Sequence, residues 1–128
     1  MIVAGIGCRR GAAAAEIEAA IHAALGRAGL AAGALAVIAT SAAKGGEPGI
    51  TAAASALGVP LVLVPAPDLE AAGRRVETRS ARVLALTGVP SLAEAAALAA
   101  GGPAARLLAR RIAVGPATCA LAESGGAA

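Results

Sequence analysis

The 128-residue chain is 58% hydrophobic yet has no Phe, Tyr or Trp, so its core must be built from Leu, Ile, Val and Ala. That length suits one domain with a proper core. The formal charge of +3 is a mild basic bias. It comes without the aromatic platforms or long Lys/Arg stripe of a nucleic-acid binder, so no nucleic-acid partner is expected.

Ile2–Ile6 is a short, uncharged, β-branched run ended by glycine and predicts a buried strand. From about Ala12 to Ala28 the apolar residues Ile17, Ile21, Leu25 and Ala28 recur at helical spacing, and Gly29 sits where a helix-terminating residue is wanted. "ALAVIAT" (34–40) predicts a second buried strand. The glycine-rich loop "TSAAKGGEPGI" (40–50) leads into a helix with Pro48 in its first turn, running to about Leu57 and stopped by Gly58.

"VPLVLVP" (59–65) predicts a third strand, apolar on both faces as parallel strands covered by helices are. Asp68–Gly73 predicts a short helical turn and 74–79 an exposed connection, while the pattern of Ser80–Leu86 fits helix or strand, with helix preferred. Ser91 and Glu94 form a capping pattern at the head of a helix over 91–102. Arg111–Val114 and Thr118–Ala122 predict short strands around a Gly-Pro turn. Strands alternating with helices, without a repeat or linker, predict a single three-layer α/β/α domain over 1–123 with a mostly parallel or mixed sheet. Residues 124–128 are expected to form a flexible, frayed tail.

The stretch "GIGCRRG" (5–11) turns from strand to helix through two glycines, a cysteine and two adjacent cations. It is not the strict dinucleotide fingerprint, and the second strand ends without the carboxylate that a ribose needs. No P-loop is present, and no cofactor is expected. A helix N-terminus with Arg9 and Arg10 just before it still favours anions, and arginine grips carboxylates in bidentate fashion. A tight turn with solvated arginines is the competing reading. Lys44 and Glu47 lie in the second glycine-rich loop, which a parallel sheet places at the same carboxyl edge. The other arginine pairs, Arg74-Arg75 and Arg110-Arg111, also read as small cationic groups or solvated surface charge.

Cys8 is a candidate nucleophile in an electropositive setting or a small buried thiol. Cys119 reads as core and His22 as surface. Two distant cysteines match neither a zinc site nor a secreted disulfide scaffold, so no metal is expected. No stretch has the length of a membrane span and the first residues lack signal-peptide order, so a cytoplasmic protein without membrane partners is expected.

Four segments in this order, "GIGCRRG" (5–11), "KGGEPGI" (44–50), "TGVPSLAEAAAL" (87–98) and "ATCALAE" (117–123), resemble the CobE/CbiG C-terminal domain family of cobalamin (vitamin B12) biosynthesis. The resemblance covers nearly the whole chain and points to the stand-alone, CobE-like form, since two-part CbiG proteins carry a further N-terminal region. It implies a role in building the corrin ring. In that family CbiG is associated with opening the lactone of cobalt-precorrin-5A with release of acetaldehyde.

The expected ligand is a corrin or precorrin intermediate, a polyanion bearing acetate and propionate arms. The chain would bind it as carrier or accessory factor, and other cobalamin-biosynthesis enzymes are candidate partners. The alternatives are a hydrolase of the ring lactone and a docking subunit of the pathway. Gly5, Gly7, Cys8, Arg9, Arg10, Gly11, Lys44, Glu47 and Gly49 are the expected ligand-binding residues. Under the hydrolase alternative Lys44 polarises the carbonyl, with Glu47 or Cys8 assisting.

Overall fold

The computed structural model describes residues 1–74 and 91–124. The connection expected after Arg74, the helix expected over 80–86 and the last four residues of the tail lie outside the described residues. In chain order the elements are β1 (Ile2–Cys8), α1 (Ala14–Arg27), β2 (Leu35–Ser41), α2 (Pro48–Leu57), β3 (Leu61–Val64) and α3 (Ala66–Gly73). Then follow α4 (Leu92–Gly101), β4 (Arg106–Val114) and β5 (Ala117–Glu123). Short 3-10 turns lead into β2 (Ala32–Ala34) and out of it (Ala42–Lys44).

The strands form one mixed sheet in the order β3-β2-β1-β5-β4. β1, β2 and β3 run parallel, while β5 is antiparallel to both β1 and β4. Alternation along β1 divides the core. Ile2, Ala4 and Ile6 pack with Ile17, Ile21 and Leu25 of α1 and Ile50 and Ala53 of α2. Val3 points the other way, into a cluster with Leu69 and Ala72 of α3 and Ala95–Leu98 of α4. The domain is thus a three-layer α/β/α sandwich, as its alternating pattern implies.

Local signals explain the element ends. Gly29 and Gly58 take φ of 73° and 70° just past α1 and α2, where a side chain would be strained. Pro48 opens α2 because its missing N–H has no partner to lose there. Ser91 caps α4, its Oγ accepting the Glu94 N–H at 3.4 Å.

Two strands differ from the sequence reading. β4 begins at Arg106, five residues before the expected start at Arg111. Its register slips between Leu107 and Ala109 and again between Ala109 and Ile112. Each slip places an extra residue on β4, and such bulges break the alternation that marks a strand in sequence. β3 is an edge strand and leaves Val62 and Leu63 38% and 45% exposed, so its apolar run is not covered on both faces.

Candidate functional site

Because β1, β2 and β3 are parallel, the loops after them leave one edge of the sheet, and α1, α2 and α3 begin there. α4 begins there too: a Cβ placed on Gly7 would lie 3.9 Å from Leu92. The β4–β5 turn reaches the same edge, where Arg9 N–H donates to Pro116 O at 2.9 Å. Nothing in the spacing of the sequence marks these last two contributions, because both depend on chain returning from far away.

The two glycine-rich loops are tied together. Gly11 N–H donates to Glu47 Oε1 at 2.7 Å. Gly49 lies so close to Ala12 that a Cβ there would overlap the Ala12 carbonyl oxygen. Between the loops the paired register of β1 and β2 ends. The β1–β2 register runs to Gly5 opposite Ala39, and beyond it the buried Thr40 hydroxyl donates to Ile6 O at 2.8 Å. On the other flank of β1, Thr118 Oγ1 donates to Gly7 O at 3.2 Å. Side-chain donors thus reach the last carbonyls of β1 from both sides.

The expected site residues divide into two groups. Gly5, Gly7 and Gly49 are buried in packing. A Cβ at Gly5 would overlap the Ala93 carbonyl oxygen of α4, and one at Gly7 would meet Thr118 Oγ1 at 2.7 Å. These glycines let helix and strand backbones touch. Cys8, Arg9, Arg10, Gly11, Lys44 and Glu47 gather around this edge. Arg9, Arg10 and Gly11 are exposed, whereas Cys8, Lys44 and Glu47 are half-buried. Among the described residues, Arg9, Arg10 and Lys44 have no ion-pair partner.

The amides ahead of α1 are not bare. Ala13 N–H donates to Glu16 Oε1 at 2.9 Å, and Ala12 N–H turns back to Arg9 O at 3.2 Å. Burial pushes the Cys8 thiol up; the Lys44 charge pulls it back and the Glu47 charge pushes it up again. The balance keeps Cys8 a neutral thiol at neutral pH, which suits a lining group better than an attacking thiolate. Cys119 is wholly buried, and burial raises its thiol strongly. Among the described residues, no group of three or more His, Cys, Asp or Glu side chains could hold a metal ion. Nor is any described helix long and apolar enough to cross a membrane.

Among the described residues, the remaining arginines do not converge on this edge. Arg74 follows the C-terminus of α3, away from the edge where that helix begins. Arg110 and Arg111 sit at the second bulge of β4. Glu94 is a residue the sequence reading placed only as a cap. It is completely buried, and its Oε2 accepts the Arg111 N–H at 2.9 Å.

Fold and edge together define a mixed α/β domain with two linked glycine-rich loops presenting cations at one end of its sheet. Residues 2–122 match the family described as cobalamin synthesis G C-terminus. The chain is 40% identical over 121 residues to the protein CobE of Sinorhizobium sp., covering 94% of this chain and 79% of that one. The crystal structure of a CobE from the cobalamin biosynthetic pathway superposes with a TM-score of 0.89 at 36% identity, covering 95% of this chain and 89% of that chain. The cobalamin biosynthesis protein chiG from Agrobacterium tumefaciens gives 0.77 at 38% identity, with 98% and 100% covered. The chain therefore belongs to the cobalamin synthesis G C-terminus family, the CobE/CbiG C-terminal type of cobalamin-biosynthesis protein.

Proposed function

We propose that the chain binds an anionic corrin-ring precursor at the carboxyl edge of β1 and β2, acting as a carrier or accessory factor of cobalamin biosynthesis. The observation that carries this reading is the joining of two glycine-rich loops by the Gly11–Glu47 hydrogen bond, with Arg9, Arg10 and Lys44 around the junction and without ion pairs among the described residues. A macrocycle with several carboxylate arms complements such an edge, because arginine and lysine form charge-assisted hydrogen bonds to carboxylates. The carboxyl ends of β1 and β2 lie where open α/β sheets receive ligands. Other enzymes of the pathway would deliver or accept the ligand.

A hydrolase reading draws on the same cluster, since the charges of Lys44 and Glu47 both reach the Cys8 thiol. It ranks second for two reasons. The thiol is held neutral, and one Glu47 oxygen is engaged by Gly11. Incubation with precorrin-stage intermediates separates the readings. Stoichiometric change of the visible spectrum with unchanged ligand mass is the expected result. Acetaldehyde release over many turnovers would reverse the ranking, and no spectral change with any intermediate would remove both.

A further inference from the structure

Glu47 supplies the binding edge with a carboxylate of its own. Its Oε1 takes the Gly11 N–H at 2.7 Å across 36 residues of chain, next to Arg9 and Arg10. The neighbouring amides are also engaged, Ala13 by Glu16 and Ala12 by Arg9 O. None of the three successive backbone donors from Gly11 to Ala13 is open to an incoming anion.

A ligand carboxylate then has two ways in. It can pair with Arg9, Arg10 and Lys44 beside a resident negative charge, which reduces the attraction it feels. Alternatively, it can take the place of Glu47 on Gly11, breaking a charge-assisted hydrogen bond to do so. Glu47 opposes binding by either route.

Resting on the polyanion-binding reading above, we infer that Glu47 is a tethered competitor, occupying the Gly11 amide in the free protein and yielding it to a carboxylate arm of the ligand. Its local concentration is fixed by the fold, so it lowers affinity without needing an effector. When it returns to Gly11 it helps expel the arm, which suits a protein that must pass its cargo on. The expected consequence is unusual for a half-buried carboxylate at a binding edge: removing it strengthens binding.

The test uses cobyrinic acid, a corrin whose acetate and propionate arms are free carboxylates, titrated into wild type, Glu47→Gln and Glu47→Ala and followed by visible absorption. Glu47→Ala is expected to bind about tenfold to a hundredfold more tightly than wild type, the scale of one charge-assisted hydrogen bond. Glu47→Gln should fall between them, because its amide oxygen can still accept from Gly11 but carries no charge. In proton–nitrogen spectra the Gly11 amide should shift when the probe binds wild type, and much less in Glu47→Ala.

Equal or weaker binding by Glu47→Ala overturns the inference and makes Glu47 a clasp that shapes the site. Should the Ala variant fail to fold, Glu47→Gln decides alone: tighter binding supports the competitor, and equal or weaker binding overturns it. Binding of the probe by none of the three proteins removes the polyanion reading, and this inference with it.

Discussion

The stretch 5–11 contains two regions that differ in what they can tolerate. Gly5 and Gly7 lie buried under α4 and beside Thr118, where helix and strand backbones nearly touch. Arg9, Arg10 and Gly11 follow at once and are exposed. In the first region residue identity is dictated by space; in the second the chain is free to select for charge. A glycine motif beside cations is therefore not one functional unit. Gly5 and Gly7 build the scaffold, and the exposed residues after them are the ones proposed to meet the ligand.

The largest effect should come from the scaffold half. Gly5→Ala places a methyl group on the Ala93 carbonyl and against Ala97, so α4 must move off the sheet. Neither contact is the flexible tip of a side chain. The loss should be roughly 3 kcal/mol or more, at the upper end for overpacking. Denaturant unfolding measures it. Near-wild-type stability would mean that α4 shifts freely, and the contrast between the two regions would collapse.

Glu94 anchors the same helix to the far side of the sheet. Glu94→Ala leaves the Arg111 amide at the β4 bulge without its carboxylate. A buried donor left without a partner, together with the lost side-chain volume, should cost on the order of 2–3 kcal/mol. Glu94→Gln keeps an acceptor oxygen and should recover part of that loss. If Gln and Ala destabilise equally, the hydrogen bond to Arg111 is not what Glu94 contributes.

The cationic half should behave in the opposite way, with stability unchanged and affinity reduced. Replacing both Arg9 and Arg10 by Ala removes two exposed side chains without an ion pair among the described residues. Charge-assisted bonds from two exposed, solvent-screened arginines predict about a tenfold to several-hundredfold loss of affinity for a polycarboxylate corrin. Added salt should weaken wild-type binding more than that of the variant, because exposed charges are screened. Arg27→Ala, in the last turn of α1, serves as the control. A double variant that binds as tightly as wild type would leave both arginines as solvated charge.

How far these regions were legible depended on the range of the forces involved. From β1 to α2 the elements follow from local pattern: a β-branched run, an Ile17–Ile21–Leu25 stripe, Pro48 to open a helix and Gly58 to close one. The parallel arrangement then places both loops on one edge. What stayed hidden is tertiary. Gly5 looks the same in sequence whether a phosphate or a helix backbone lies over it, and only the return of α4 decides. Ser91 and Glu94 read as a cap because that pattern is local, whereas the partner of Glu94 lies on a strand whose bulges disguise it. The Gly11–Glu47 bond joins residues that are far apart in the chain and leave no periodic trace.

The smallest effect tests the seam between the two regions. Thr40 donates to Ile6 O at 2.8 Å and Thr118 to Gly7 O at 3.2 Å, so both hydroxyls serve carbonyls just before the loop turns outward. Thr40 is fully buried, while Thr118 is half-buried. Thr→Val keeps the branched shape and removes the donor, so the cost depends on whether water can replace it. At Ile6 it cannot without opening the sheet, and Thr40→Val should cost about 1–2 kcal/mol. At Gly7 solvent lies closer, and Thr118→Val should cost about 0.5 kcal/mol or less. Parallel melting curves measure the difference. Equal costs would mean that the Gly7 carbonyl is as closed to water as the Ile6 carbonyl. The boundary between scaffold and binding edge would then lie at Cys8 or beyond, rather than within the glycine pair.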